Sequence, residues 1–589
     1  MDIKSNRIVA AAGKDLIAKL ISSWLFMGSV MMFFIKSDTI DAKLFQSINL
    51  AVFIVVFLFF FAAQTAVQYF LDEIKAAPVF VLMSVSLFTI EASMKVTDKF
   101  IILGFAAAVF LAAMYAYNAG LEMNISPKVC KALTACAAVF FTAFLCVVMV
   151  LRILVYTAPN FDFGIFCNIY YNLKESFQPL STCERDKLLS HFAVHFSPVL
   201  YLLLPIYYIF PSAMTLEISQ VVILLSGAVP LILLMKKYEI DSVTKMFFAI
   251  AYLAYPAINY GSIYDFHENC FILPLLLWMF FFYEKGKNIP FFIFAFLVLT
   301  VKEEAFAYVF IFAVYILVSR KDRKKGVALM VVSAVYFGLA VLYISRFGEG
   351  IMSNRFANLK LPNEGLLGVV KTVFKTPVLV FNELFRGISS DSGKLVYFIQ
   401  LFVPLAMLPF MSRKPSRLIL ICPVLINLLS DYYYQCDLGK QYSFGITAFL
   451  FYASVMNLAE TEKKKRNYLA LTSAVVSIVM MLSLMYPRLV NYSLSYSVNK
   501  GSFERITEVL ETIPDDASVT ASTFFVAKLS QRDVIYEVHY HNGADTDYLV
   551  LDLRGADENK IAEYEAPYIE AGYKMTVNDE GLIRVYSKN

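Results

Sequence analysis

The sequence predicts an α-helical polytopic membrane protein, crossing the bilayer about fifteen times, with a small soluble α/β domain at its C-terminal end. Two observations carry this. Apolar residues make up 59% of the 589-residue chain and charged residues only 17%, with a mean hydropathy of +0.63, far from the composition of a soluble chain of this length. The second observation is a sharp change near residue 499, where the greasy runs stop and short, turn-punctuated segments begin.

Crossing about 30 Å of hydrocarbon takes roughly 17 to 25 apolar residues of helix. Such runs lie at 20–35, 48–71, 77–94, 100–118 and 132–156, ahead of a polar, aromatic loop at 157–214. Others follow at 216–235, 243–260, 270–283, 289–301, 305–319, 326–346, 395–411, 417–431, 442–458 and 467–486. The start is polar and basic, and the first run lacks a small-residue cleavage site, so it reads as an anchor. The stretch SPVLYLLLPIYYIF at 197–210 is apolar but short and holds Pro205. It reads as an interfacial or re-entrant helix.

Basic residues set the orientation. With a cytoplasmic N-terminus, Lys236 and Lys237, Lys285 and Lys287, RKDRKK at 320–325, SRKPSR at 412–417 and EKKKR at 462–466 all fall inside. The chain is then expected in the cell membrane, multi-pass, with its C-terminal domain extracytoplasmic. The loop 157–214, the YDFHEN turn at 264–269, the VKEE turn at 301–304, the segment 347–394 and the turn DYYYQCDLGKQYS at 431–443 share that outer face. Three units are expected: an N-terminal transmembrane extension at 1–125, a transmembrane module at 126–498 and the α/β domain at 499–589. The net charge of +4 is small and dispersed, which argues against a nucleic-acid partner.

In the tail, FERITEVLETI reads as an amphipathic helix, SVTAS, DVIYEV and DYLVLDL as strands, ENKIAEYEAPYIEAGY as a second helix and KMTVNDEGLIRVYSK as a hairpin around 579–581. No glycine-rich phosphate loop follows its strands, so nucleotide binding is not assigned. His539 and His541 read as surface residues. The eight cysteines form no CxxC pair and read as small packing residues, although Cys167 and Cys183 could bridge within the polar loop.

The residues able to do chemistry lie in the outer loops. Asp162, in NFDFGIF, follows a span and is flanked by Phe161, Phe163 and Phe166, with Gly164 letting the backbone turn. Partial desolvation would suit it to act as a general base; the alternative is a cap on a helix starting near Phe163. His191 and His195 share a face if helical. With Asp265, His267 or Glu268 they could make a divalent-metal site, or they could hydrogen-bond substrate or backbone; no cofactor is required. Lys302 could hold a lipid phosphate, with Glu303 or Glu304 orienting it. Gln441 and Tyr442, with the tyrosines at 432–434, could stack on and hydrogen-bond a sugar, or belong to an interfacial aromatic belt.

The ordered motifs FDFGIF, HFAVHFSPVLYLLLPIY, TLEISQ before a span ending in a basic pair, AYPAINYGSIYDFHEN, VKEEA, LGKQYSF and VTAS with LSQRDVIY resemble one family. It is a family of polytopic bacterial and archaeal membrane proteins with a domain-of-unknown-function label, grouped by fold with the GT-C glycosyltransferases. The resemblance covers about 132–589 and implies a GT-C-like transmembrane module. GT-C enzymes that use polyprenyl-phosphate sugars place an essential acid in the first large extracytoplasmic loop of that module, which Asp162 matches. HFSPV at 195–199 loosely resembles their His-Pro-Pro-Leu-like stretch, with Phe196 and Ser197 intervening.

The resemblance therefore implies transfer of a sugar from a polyprenyl-phosphate donor to a lipid, glycan or protein, with His195, His267, Lys302 and Glu303 contacting donor phosphate and sugar. Two departures stand out. The spans before 125 lie outside the module and suggest a protein partner or scaffold there, and Asp162 is followed by Phe163 where many relatives carry a second acid. A transporter or flippase of a lipid-linked solute would instead need mid-span charges and an inverted repeat. A non-catalytic scaffold would need Asp162 only as a cap.

Overall fold

The computed structural model describes residues 2–34, 46, 48–70, 76–348, 353–361, 364–386 and 393–588. Among them nine helices are long and apolar enough to cross a membrane: Leu16–Phe34, Leu50–Phe70, Ala76–Ser93, Lys99–Asn118, Pro127–Leu154, Ala213–Lys237, Arg323–Phe347, Gln441–Ala459 and Lys463–Leu510. Several start where a cap can satisfy the free N–H groups of the first turn. Asp98 accepts from Phe100 and Ile101, and Ser126 accepts from Val129 with Pro127 at the first helical position. Asp241 caps the shorter helix Ser242–Leu253 in the same way.

The remaining six of the fifteen expected runs are short helices. Ser242–Leu253, Ile272–Glu284 and Asn288–Leu299 have 12, 13 and 12 residues. Phe306–Tyr315, Lys394–Phe402 and Pro423–Leu429 have 10, 9 and 7, extended by 3-10 or π turns. Hydropathy merges each helix with its apolar turn. The run is apolar because protein surrounds it: Leu273, Leu276, Leu277 and Phe280 are completely buried. The stretch 197–210 forms a 3-10 turn, Pro198–Leu202, and a six-residue helix, Leu204–Ile209, about 9 Å long and too short to cross.

Burial grades from the centre outward. Helix Gln441–Ala459 is almost wholly enclosed, whereas Leu50–Phe70 turns nearly all its side chains outward, holding its neighbour through Gln64, which bonds Ser22 and Ser23. The 48-residue helix Lys463–Leu510 is about 72 Å long. Its first half packs on Ser242–Leu253 and Lys99–Asn118, and its end, past a kink at Asn499, enters the C-terminal core.

Besides a two-residue ladder of β1 (Leu180–Ser181) and β2 (Leu189–Ser190), the strands form one C-terminal sheet. Its members are β3 (Val519–Ala521), β4 (Ile535–Glu537), β5 (Tyr548–Asp552), β6 (Lys574–Asp579) and β7 (Ile583–Ser587), in the order β4-β3-β5-β7-β6. β3 is parallel to β4 and β5, and β7 is antiparallel to β5 and β6. Alternation along β5 sends Val550 to the core shared with the long helix, and Leu549 and Leu551 to the core under helix Glu558–Glu570. The expected strands and helices are all present. Helix Thr523–Leu529, on a stretch that alternation had not marked, is additional.

This sheet is clamped onto the loop that carries Asp162. Arg554 donates from Nη1 to Val155 O (3.0 Å) and from Nη2 to Tyr156 O (2.9 Å), capping the end of Pro127–Leu154. Tyr156 has a positive φ of 50°, costing about 1–2 kcal/mol for an L residue; burial of its ring against Phe525 and Phe503 offsets that cost. Thr182 Oγ1 donates to Ile535 O (2.6 Å) and accepts from Ile535 N (3.0 Å), closing the edge of β4. Asn168 Nδ2 donates to Ser530 O and Arg532 O. His541 belongs to the same interface, its ring stacked on Tyr536 and its Nδ1 2.7 Å from Asp186. All eight cysteines are free, so Cys167 and Cys183 are not bridged; the Cys183 thiol lies 3.4 Å from Ile535 O.

Replacing Arg554 with alanine removes the two bonds to the strained helix end. The expected result is a loss of about 1–3 kcal/mol, read as a lower melting temperature of the detergent-purified protein and new protease cleavage near residues 155–162. An unchanged melting curve and digest would show that the clamp contributes nothing.

Candidate active site

A cavity of about 400 Å³ gathers the polar loops between the helices. Asp162, Glu184, Arg185, His191, His195, Tyr264, His267, Lys302, Arg355, Tyr432, Tyr434, Lys440, Gln441 and Tyr442 all line it, with Phe161, Ile165 and Phe166. Seven of the eleven candidate residues are thus brought together. Of the other four, Glu268, Glu303 and Glu304 pair with the cavity's cations and histidines, and Asp265 pairs with Arg152.

Asp162 sits in a π-helical turn, Asn160–Gly164, and is half-buried. Its carboxylate accepts from the Tyr264 hydroxyl. It does not cap the next helix, Ile165–Ser176, whose first residue follows Gly164 with no side-chain cap. Gly164 has an ordinary helical φ of −62°, so it is needed for space, not for turning. A Cβ there would lie 2.2 Å from Asn160 Oδ1 and 2.8 Å from Val526 Cγ1.

The YDFHEN turn is held from below. On helix Ala213–Ser226, Glu217 accepts the Phe266 N–H (3.2 Å), while Gln220 accepts the His267 N–H (3.0 Å) and donates to Tyr264 O (2.9 Å). One turn apart on one face, they satisfy backbone groups that burial would otherwise orphan. Asp265 is ion-paired with Arg152, which also lies 3.6 Å from Glu217. All three are buried.

Each cavity histidine turns Nδ1 to a carboxylate. His191 meets Glu184 at 3.0 Å, His195 meets Glu303 at 2.8 Å and His267 meets Glu268 at 3.0 Å. His191 and His195 do not share a regular helix. His191 opens a 3-10 turn, and the His195 N–H bonds back to His191 O at 2.8 Å, bringing the rings to 5.8 Å. Carboxylates behind histidines also support metal ligands, yet among the described residues no three His, Cys, Asp or Glu side chains converge on one point.

Burial alone would raise the pKa of Glu303, but His195 and Lys302 outweigh it and hold the value at about 2. Burial would lower that of Lys302, yet Glu268, Glu304 and Glu303 raise it. Its Nζ lies 3.2 Å from Glu268. Burial and then Lys302 push His195 down, whereas for His191 Glu184 overcomes burial and the net shift is upward.

The tyrosines also contact the cations of the cavity. The Arg355 guanidinium lies 5.2 Å from the Tyr432 ring and 5.0 Å from the Tyr442 ring. Lys440 Nζ lies 3.9 Å over Tyr264 and 4.9 Å from Tyr434. These rings seat cations. Burial lowers the pKa of Lys440.

Residues 151–584, which contain every lining residue of the cavity, match DUF2079, described as a predicted membrane protein family. The chain belongs to the DUF2079 family. Among the described residues, the four helices before Ser126 that are long and apolar enough to cross a membrane lie outside the match. The fold is similar to crystal structures of ArnT from Cupriavidus metallidurans. The one bound to undecaprenyl phosphate has a TM-score of 0.48 and 12% identity, over 76% of this chain and 97% of that one. The apo structure has a TM-score of 0.44 and 12% identity, over 77% and 98%. No curated protein matches the chain.

Within this DUF2079 protein, sequence reasoning had passed over Arg152, Glu184, Arg185, Glu217, Tyr264, Arg355 and Lys440 as site residues. Arg152 and Glu217 carried a usable signal, a lone charge in an apolar run. Glu184, Arg185 and Arg355 lie in polar segments where nothing distinguishes them from solvated charges.

Because the Glu303 pKa is depressed from 4.5 to about 2, its stabilisation is complete above about pH 4.5 and is lost as pH falls towards 2. The shift corresponds to about 3 kcal/mol. The melting temperature is expected to fall through that window in the wild type and to fall less in Glu303→Gln. Identical acid profiles would show that the His195–Glu303 pair adds no stability.

Proposed function

We propose that this protein is a GT-C-type membrane glycosyltransferase, moving a sugar from a polyprenyl-phosphate-linked donor to a lipid, glycan or protein acceptor on the extracytoplasmic side. One observation carries the reading: a half-buried carboxylate, Asp162, faces the same cavity as Arg185, Lys302, Arg355 and Lys440. Its volume of about 400 Å³ lies within the range of small-molecule sites. The motif order that resembles the family supports it too.

Asp162 acts as the base or orients the acceptor hydroxyl, with Tyr264 fixing its rotamer. The cations neutralise the donor phosphate and the charge that builds on it as the sugar departs. His195 and His267 contact donor phosphate or sugar, and Gln441 the sugar hydroxyls. A single base facing a phosphate leaving group suits an inverting displacement. Because four cations line the site, the reading needs no divalent metal.

The same reading places the N-terminus in the cytoplasm and the cavity and sheet domain outside the cell membrane, as the basic clusters favour. The transport alternative has less support, since the buried Arg152 lies in the last turn of its helix and is paired with Asp265 and Glu217. The test uses purified protein in liposomes with a panel of radiolabelled polyprenyl-phosphate sugars and a membrane extract as acceptor. Asp162→Asn is expected to lower transfer by about 10²-fold or more with an unchanged melting temperature. Full transfer by a folded Asp162→Asn protein would remove Asp162 from the mechanism, and no transfer by the wild type with any donor would count against the enzyme itself.

A further inference from the structure

The three histidine–carboxylate pairs of the cavity differ in their surroundings. His267 accepts the Asn269 N–H on Nδ1 (3.3 Å), and its partner Glu268 is shared with Lys302. His195 is beside Lys302. His191 is only 2% exposed, and its Nε2 is buried with no hydrogen-bond partner. Leaving such a group unpaired is unfavourable, and a ligand oxygen would relieve it. Glu184 secures the opposite side of the ring, its own side chain only 6% exposed.

Resting on the glycosyl-transfer reading, we propose that His191 is the general acid of the reaction, giving its Nε2 proton to the departing lipid phosphate, and that Glu184 is the residue that positions it. As the bond from the sugar's anomeric carbon to the phosphate oxygen breaks, its electron pair stays on that oxygen, which takes the Nε2 proton. The acceptor oxygen bonds the anomeric carbon and yields its proton to Asp162. His191 is left neutral, its Nδ1–H still held by Glu184, and water then returns a proton to His191 and removes the one on Asp162. The match is chemical: a phosphate monoester has a second pKa near 6, close to that of imidazole, where proton transfer in the transition state is most effective.

The surroundings favour the charged ring before reaction. Glu184 and Arg185 face it from the loop between β1 and β2, His195 from the following turn, Glu268 and His267 from the YDFHEN turn, and Lys302 from the VKEE turn. Burial and Lys302 oppose protonation, Glu184 and Glu268 promote it, and the balance is an upward shift. Phe166 closes one side, its ring 5.4 Å from that of His191.

The experiment is a pH profile of transfer in the liposome assay, with the polyprenyl-phosphate sugar that the wild type uses best. The wild-type rate should fall at high pH with a midpoint above 6.5. His191→Gln should transfer about 10²-fold more slowly or worse near pH 6 and should lose that fall. Glu184→Gln should keep the fall but move its midpoint to lower pH, which loss of packing alone would not do. A folded His191→Gln protein with the wild-type rate and profile would overturn the proposal and leave the transferase reading intact. If His191→Gln does not fold, an unmoved midpoint in Glu184→Gln overturns it. A wild type inactive with every donor overturns both.

Discussion

The ion pair between Arg152 and Asp265 is the joint on which the cavity is assembled. Arg152 ends the helix Pro127–Leu154, Asp265 belongs to the YDFHEN turn, and Glu217 reaches the same guanidinium from the helix Ala213–Ser226. Three elements distant in sequence therefore meet in one buried cluster. Charges taken out of water are tolerable only when paired, and removing one partner of a buried pair typically costs about 3–5 kcal/mol. The next two residues after the span set the direction of the turn bearing Asp162, and the residue before Asp265 is Tyr264, which holds the Asp162 carboxylate. Position and chemistry are thus tied through adjacent residues of the two loops.

The same constraint recurs in every layer behind the lining. Glu268 answers Lys302, Glu303 answers His195, Glu304 lies 3.7 Å from Arg355 and Glu184 answers His191. Arg355 and Lys440 also rest on tyrosine rings. An array of this kind holds its charges in fixed positions, which is what the proposed transfer would demand of a site that stabilises a transition state electrostatically.

Much of this was legible in the sequence, and the illegible parts have physical reasons. Hydropathy located the long helices because their surfaces must be apolar all round. It could not show that several of the runs, such as the one holding Ile272–Glu284, are short helices extended by 3-10 or π turns and enclosed by protein. Asp162, His191, His195, His267, Lys302, Gln441 and Tyr442 were found because polar residues between apolar runs are conspicuous. Which carboxylate backs which histidine is a tertiary fact: Glu184 and Arg355 look like any solvated charge until the loops close. The tyrosines near 432 were visible as a cluster, but their faces could not be assigned without knowing that Arg355 and Lys440 would cover them.

The clamp between the sheet domain and the Asp162 loop changes what counts as a separable part of this molecule. Tyr156 is a core residue of the tail, Arg554 of the tail caps a membrane helix, and the edge of β4 is finished by Thr182 from the loop. The helix Lys463–Leu510 joins the two without a linker. A tail exchanged between relatives at residue 499 would arrive without its own core and edge partners. The unit that evolution or an engineer can swap is the tail together with residues 155–186.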